Sequence, residues 1–173
     1  MVPEEGSPTV YEDVEALQRS DRYCFVDYVP YEAVNPDFLE LEDYFEQTYL
    51  PLFAEKISRI ILKILYFTSC RVYLTEPSRP CGDFSYDTDI RSYSPEKMDL
   101  LIRKVIVEDF SSLQILLDSP RVLVSVCGGF SVTFYGLSEE MSSFDVFRML
   151  VDQEGLFLKR GGGENSSSTC AMD

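Results

Sequence analysis

The sequence predicts an α+β fold: an antiparallel sheet, with a meander near residues 113–135, packed against three to four helices in two layers. Three observations predict it. From Leu113 onward short apolar runs are separated by turn residues, Pro95 to Ile106 carry apolar side chains at helical spacing, and the helices are set apart from an antiparallel meander. The 173 residues are 45% hydrophobic and 13% aromatic, which is material for one real core. The expected organisation is an acidic flexible arm over residues 1–20, a single domain over 21–160, and a Gly/Ser-rich tail over 161–173.

The elements follow in order. Within the arm, one helical turn is expected around Val14 to Leu17. Arg22 to Val29 is β-branched and aromatic, a first strand stopped by Pro30. Asn35-Pro36-Asp37 reads as a turn or helix start, after which Phe38, Leu39, Leu41, Tyr44 and Phe45 mix with Glu40, Glu42, Asp43 and Glu46 in an amphipathic helix with an anionic outer face. Pro51 marks a kink or a new N-terminus. Leu52 to Phe67 then forms the most buried helix, with Glu55, Lys56, Arg59 and Lys63 on one polar stripe and everything else facing the core.

Arg71 to Thr75 alternates like a strand, and Glu76 to Tyr93, rich in proline and small polar residues, reads as a long exposed loop of the kind that often carries function. Ser94-Pro95-Glu96 supplies an N-cap and a proline at the first helical position, and Met98, Leu101, Ile102, Val105 and Ile106 share one face. The runs Leu113–Leu117, Arg121–Val126 and Phe130–Tyr135 make the meander. Ser142 or Ser143 caps a last helix with Phe144, Phe147, Leu150 and Val151 inward and Gly155 at its C-terminal end, and Leu156 to Leu158 closes the domain as a strand or docked segment.

Charge is the most informative bulk property. The chain has 30 acidic against 15 basic residues, a formal net of −15, and a pI near 4.3. Such a field repels phosphates, so no direct nucleic acid and no anionic membrane surface is expected as ligand, and a basic protein partner is. The acids are also unevenly placed: residues 1–46 hold thirteen against Arg19 and Arg22, whereas residues 47–173 hold seventeen against thirteen bases. That asymmetry exceeds what solubility requires and points to a docking surface on the N-terminal arm and the first amphipathic helix.

Other chemistry is narrowed by residue type. With no histidine, imidazole-based triads and His-ligated zinc are excluded. No cofactor, metal or catalytic residue is assigned: the glycine pairs miss the phosphate-loop patterns, and Asp83, Asp87 and Asp89 form only a lone acidic loop motif. Cys24, Cys70, Cys81, Cys127 and Cys170 are widely spaced, without a CxxC pair or a preceding apolar leader, and read as free thiols of a cytoplasmic protein. Cys24, Cys70 and Cys127 sit in apolar runs, leaving Cys81 as the most reactive candidate. The candidate partner-binding residues are Glu40, Glu42, Asp43, Tyr44 and Glu46, with Asp83, Asp87 and Asp89 as second choice.

The segments NPDFLELEDYFEQTYL, RVLVSVCGGFSVTFYGL and FDVFRMLVDQEGLFLKR together resemble the small acidic immunity proteins encoded beside bacterial toxins. The resemblance covers the middle and C-terminal two-thirds of the chain and transfers no site residue. It implies an inhibitor that neutralises a cognate basic toxin, often a nuclease, by setting carboxylates where substrate phosphates would sit. Three other classes remain open: a DNA mimic, a small enzyme using carboxylates, and a scaffold subunit. They differ in partner range, in the presence of a deep acidic pocket, and in exposed apolar area.

Overall fold

Each β-branched or aromatic run becomes a strand whose alternate residues share a face. The structure is a computed structural model that describes residues 10–30, 39–75, 77–79 and 81–161. In chain order its elements are α1 (Val10–Gln18), β1 (Tyr23–Asp27), α2 (Leu39–Tyr44), a π-helical turn (Phe45–Tyr49), α3 (Leu50–Phe67), β2 (Cys70–Leu74), α4 (Pro95–Glu108), β3 (Leu113–Leu117), β4 (Leu123–Val126), β5 (Val132–Tyr135), α5 (Phe144–Asp152) and β6 (Phe157–Arg160). The strands form one antiparallel sheet in the order β2-β3-β4-β5-β1-β6. The meander is present, and the α+β class is the one the sequence predicts.

Register sorts the sheet's two faces. Leu113 pairs with Val126 and Ile115 with Val124, and these belong to the main core with Val72, Phe134 and Cys24. On the opposite face Leu116 pairs with Leu123, and Gln114 Nε2 donates to Ser125 Oγ at 3.0 Å. Both faces of β3 and β4 are therefore buried.

Part of that opposite face is covered by α1. Where the sequence suggests a flexible arm with a single turn, a nine-residue helix docks through Asp13, whose carboxylate pairs with Arg121 and lies 4.0 Å from Arg71. Tyr11 Oη donates to Asp87 at 2.5 Å. The expectations for residues 1–9, for the turn at 35–37 and for the tail from residue 162, Cys170 included, lie outside the described residues.

The cap of α4 is as expected: Ser94 Oγ accepts from the Lys97 N–H, Pro95 opens the helix, and the five periodic apolar residues are all buried. Each such side chain contributes about 1.5–3 kcal/mol relative to exposure. The four inward residues of α5 are buried likewise, though Ser143 makes no side-chain cap bond. Gly155, at φ +68°, closes the helix: Leu156 N donates to Val151 O at 3.3 Å and Gly155 N to Asp152 O at 2.9 Å.

Two expectations need correction. The 76–93 segment is not simply exposed, because Cys81, Phe84 and Ile90 are buried in the core. It folds back along β2, with Asp87 N donating to Leu74 O at 3.0 Å and Ile90 N to Val72 O at 2.8 Å, so the backbone finds partners without forming a long strand. Nor does every apolar residue of α3 face the core. Tyr66 is 82% and Phe67 72% exposed although Ile64 and Leu65 of the same turn are buried, because at about 100° per residue Tyr66 falls on the side of the helix opposite Ile57.

Candidate functional site

The first amphipathic helix is built in two pieces. Proline has no N–H and its ring crowds the carbonyl four residues back, so a regular helix cannot run through Pro51 unchanged. Immediately before it the bonding widens, with Leu50 N donating to Phe45 O across a π-turn. The turn aligns Phe45, Tyr49 and Phe53 at a spacing of four. Phe45 meets Tyr49 edge-on at 5.9 Å, and Phe53 lies 5.0 Å from Phe130.

Tyr28, just past β1, completes this aromatic cluster, 5.0 Å from Phe45, 5.5 Å from Tyr49 and 4.6 Å from Phe130. Its hydroxyl titrates above the usual tyrosine range, through burial first and then the carboxylates of Asp27 and Glu42. Through the Tyr28–Phe45 contact the C-terminal end of α2 sits by the end of β1. The cluster therefore anchors α2 from below, and α2 itself is left facing solvent.

Glu40, Glu42, Asp43, Tyr44 and Glu46 are all exposed, together with Leu41. None of these carboxylates is in an ion pair among the described residues. Elsewhere most of the cations are paired, although acids such as Glu139, Glu140 and Asp152 are likewise in no ion pair among the described residues. Arg59 bridges Glu55 at 2.6 Å and Glu154 at 2.8 Å, Arg103 holds Asp99 at 2.9 Å, Lys159 holds Asp27 at 2.7 Å, and Arg71 and Arg121 converge on Asp13. The folded chain thus spends most of its cations away from α2 and leaves that helix as an uncompensated anionic ridge bearing an exposed Tyr and Leu.

The second-choice aspartates behave differently. Asp83, Asp87 and Asp89 are exposed, but Asp87 accepts from Tyr11, and Asp89 Oδ1 accepts from both Val72 N and Arg91 N at 3.0 Å. Asp87 and Asp89 hold the 76–93 segment against β2 and α1 instead of converging with Asp83. Among the described residues no cluster of three or more Cys, Asp or Glu is placed to hold a metal ion.

Cys81 is also not the reactive thiol that its loop suggests. It is buried, its Sγ donates to Glu108 Oε2 at 2.9 Å, and that bond, more than burial, raises its pKa. Burial pushes Cys24 and Cys70 upward too.

Sequence reasoning found the acids of α2 but missed their foundation. The signal was present as the aromatic row Phe45, Tyr49 and Phe53 leading into a proline. No helix of the described residues is long and apolar enough to cross a membrane. No protein-family model matches the chain, and no curated protein or solved structure matches it either.

Proposed function

We propose that this is an immunity-type binding protein of the cytoplasm that occupies the cationic site of a basic partner, a cognate toxin such as a nuclease, with the anionic ridge of α2. The observation that carries the reading is density: Glu40, Glu42, Asp43 and Glu46 set four exposed carboxylates within seven residues, none in an ion pair among the described residues. Uncompensated carboxylates accept hydrogen bonds from Arg and Lys and speed encounter with a cationic surface. Tyr44 and Leu41 add apolar contact that excludes water around such pairs, the arrangement of an interface hot spot.

The test is capture from native lysate by the tagged protein, alongside a variant carrying Glu40→Lys, Glu42→Lys, Asp43→Lys and Glu46→Lys. A single stoichiometric basic protein that survives moderate salt, is lost with the variant, and is inhibited by the wild-type chain supports the proposal. A partner held equally by both chains moves the site off α2. A smear of basic proteins released by moderate salt points to DNA mimicry.

A further inference from the structure

We infer that the cavity at the start of β1 is a binding site for a small zwitterion, an α-amino acid with an apolar side chain. Of the 15 Lys and Arg side chains, only Arg22 and Arg160 make no ion pair, no side-chain hydrogen bond and no contact with an aromatic ring among the described residues. Both line one cavity of about 200 Å³, together with Cys24, Leu137, Glu139 and Glu140.

The fold puts the two cations on one face. Arg160 on β6 stands directly across from Cys24 on β1, and side chains so paired share a face. Gly136 N donates to Arg22 O at 2.8 Å, so the ladder runs on to Arg22, whose side chain returns to that face two residues before Cys24. The core ends here. Cys24 and Leu137 are buried, the thiol donating to the Leu137 carbonyl at 3.8 Å, whereas Arg22 and Arg160 are exposed. Like charges on neighbouring strands oppose one another until an anion joins them.

The chemistry of the walls selects that anion. A carboxylate accepts paired N–H bonds from a guanidinium fork. A phosphate or a dicarboxylate adds net negative charge to a −15 chain and meets Asp21, Glu139 and Glu140 around the same mouth. A simple cation meets the two arginines. A zwitterion satisfies both signs and carries no net charge against the field. Glu139 and Glu140 lie on the turn after β5, closed by Met141 N donating to Ser138 O at 3.1 Å, and β5 and β6 flank β1 on opposite sides. Two strand spacings hold the Glu139 and Arg160 backbones about 10 Å apart, with room for a ligand head between them. Below it Cys24 and Leu137 make an apolar floor, and because a cavity of about 150 Å³ takes benzene, this one takes a side chain up to the size of a phenyl ring. Tyr28, which carries the end of α2, lies past the other end of β1, so the site is independent of the acidic ridge.

The experiment is a nitrogen-15 amide NMR titration of the full chain with L-phenylalanine and with L-leucine, each to about 10 mM. Phenylpropionate, which lacks the ammonium, and phenylethylamine, which lacks the carboxylate, are titrated beside them. The amino acids should shift the amides of Cys24, Leu137 and Glu139 with a Kd of about 1 mM, and each analogue should bind about tenfold more weakly for the charge-assisted contact it lacks. Arg160→Gln and Glu139→Gln, both at exposed side chains, should each weaken phenylalanine about tenfold and leave the rest of the spectrum in place. No shift with either amino acid overturns the inference, as do shifts that map away from this cavity. Either analogue binding as tightly as phenylalanine overturns it too, marking a simple anion or cation site, and equal binding of all three marks an apolar hollow only.

Discussion

Glu154 joins α5 to α3, and replacing it with Gln tests the ion-pair network at its most buried carboxylate. Its side chain is 10% exposed, 2.8 Å from Arg59 and 3.4 Å from Lys63. Breaking a fully buried pair costs about 3–5 kcal/mol, and an exposed pair is worth about 0–1. Here the carboxylate is buried, but Arg59 and Lys63 are 41% and 38% exposed, and Arg59 keeps Glu55 at 2.6 Å. Water therefore takes up the orphaned cations, and Glu154→Gln should cost about 1–2 kcal/mol at pH 7, a fall in Tm of about 3–6 °C for a chain of this size.

The loss must also depend on pH. The Arg59 hydrogen bond, opposed by burial and helped by Lys63, holds the Glu154 carboxyl below its ordinary 4.5. The unfolded chain then binds the proton more readily than the native one, so the stabilisation is complete above the ordinary value and fades as pH falls through the lower native one. Thermal melts of wild type and variant should differ at neutral pH and converge in acid, while the exposed Glu140→Gln changes little at any pH. A gap that is the same in acid would mean that Glu154 acts by shape and not by charge, and no gap at pH 7 would refute the network.

Two further outcomes follow from contacts that the fold makes at a distance. Asp13→Asn removes the charge that holds α1, and because Arg121 and Arg71 are partly exposed the cost should be about 1 kcal/mol. Limited trypsin digestion should then cut at Arg19 or Arg22 about fivefold faster, the population ratio that 1 kcal/mol represents, and an unchanged rate would mean α1 is held by other contacts. At Cys81, Glu108→Gln replaces the charged acceptor that favours the thiol over the thiolate with a neutral amide. Iodoacetamide at pH 8 should label that cysteine faster, by up to about tenfold for each pKa unit recovered, and an unchanged rate would assign its protection to burial alone.

What was legible in the sequence was whatever short-range chemistry determines. Ser94-Pro95 and the apolar residues from Met98 to Ile106 define α4 without reference to the rest of the chain. Asp118-Ser119-Pro120 and Cys127-Gly128-Gly129 separate the strands of the meander in the same local way. The illegible parts depend on contacts between distant residues. Asp13 meets Arg121 across 108 positions, and no periodicity within α1 announces that pairing. The 76–93 segment looks polar throughout, yet Ile90 reaches the core because its backbone bonds to Val72. Tyr66 and Phe67 continue the apolar run of α3 but turn away from the side that buries Ile57, Ile61, Ile64 and Leu65, a matter of helical phase that composition does not encode. The acids of α2 could be placed outward from spacing alone, whereas their lack of an ion pair among the described residues could be read only from the fold.

The stability of the site and its charge are thus arranged separately. In α2 the four carboxylates include Glu42 and Glu46 at i,i+4 and Glu40 and Asp43 at i,i+3, spacings at which like charges each cost about 0.2–0.5 kcal/mol. The helix N-terminus returns part of that to Glu40 and Glu42 in the first turn. None of the four is used to hold the helix down, since Phe45 and Tyr49 do so through Tyr28 and Phe130. Under the proposed function, binding of a cationic partner would relieve the mutual repulsion on this ridge without disturbing the core.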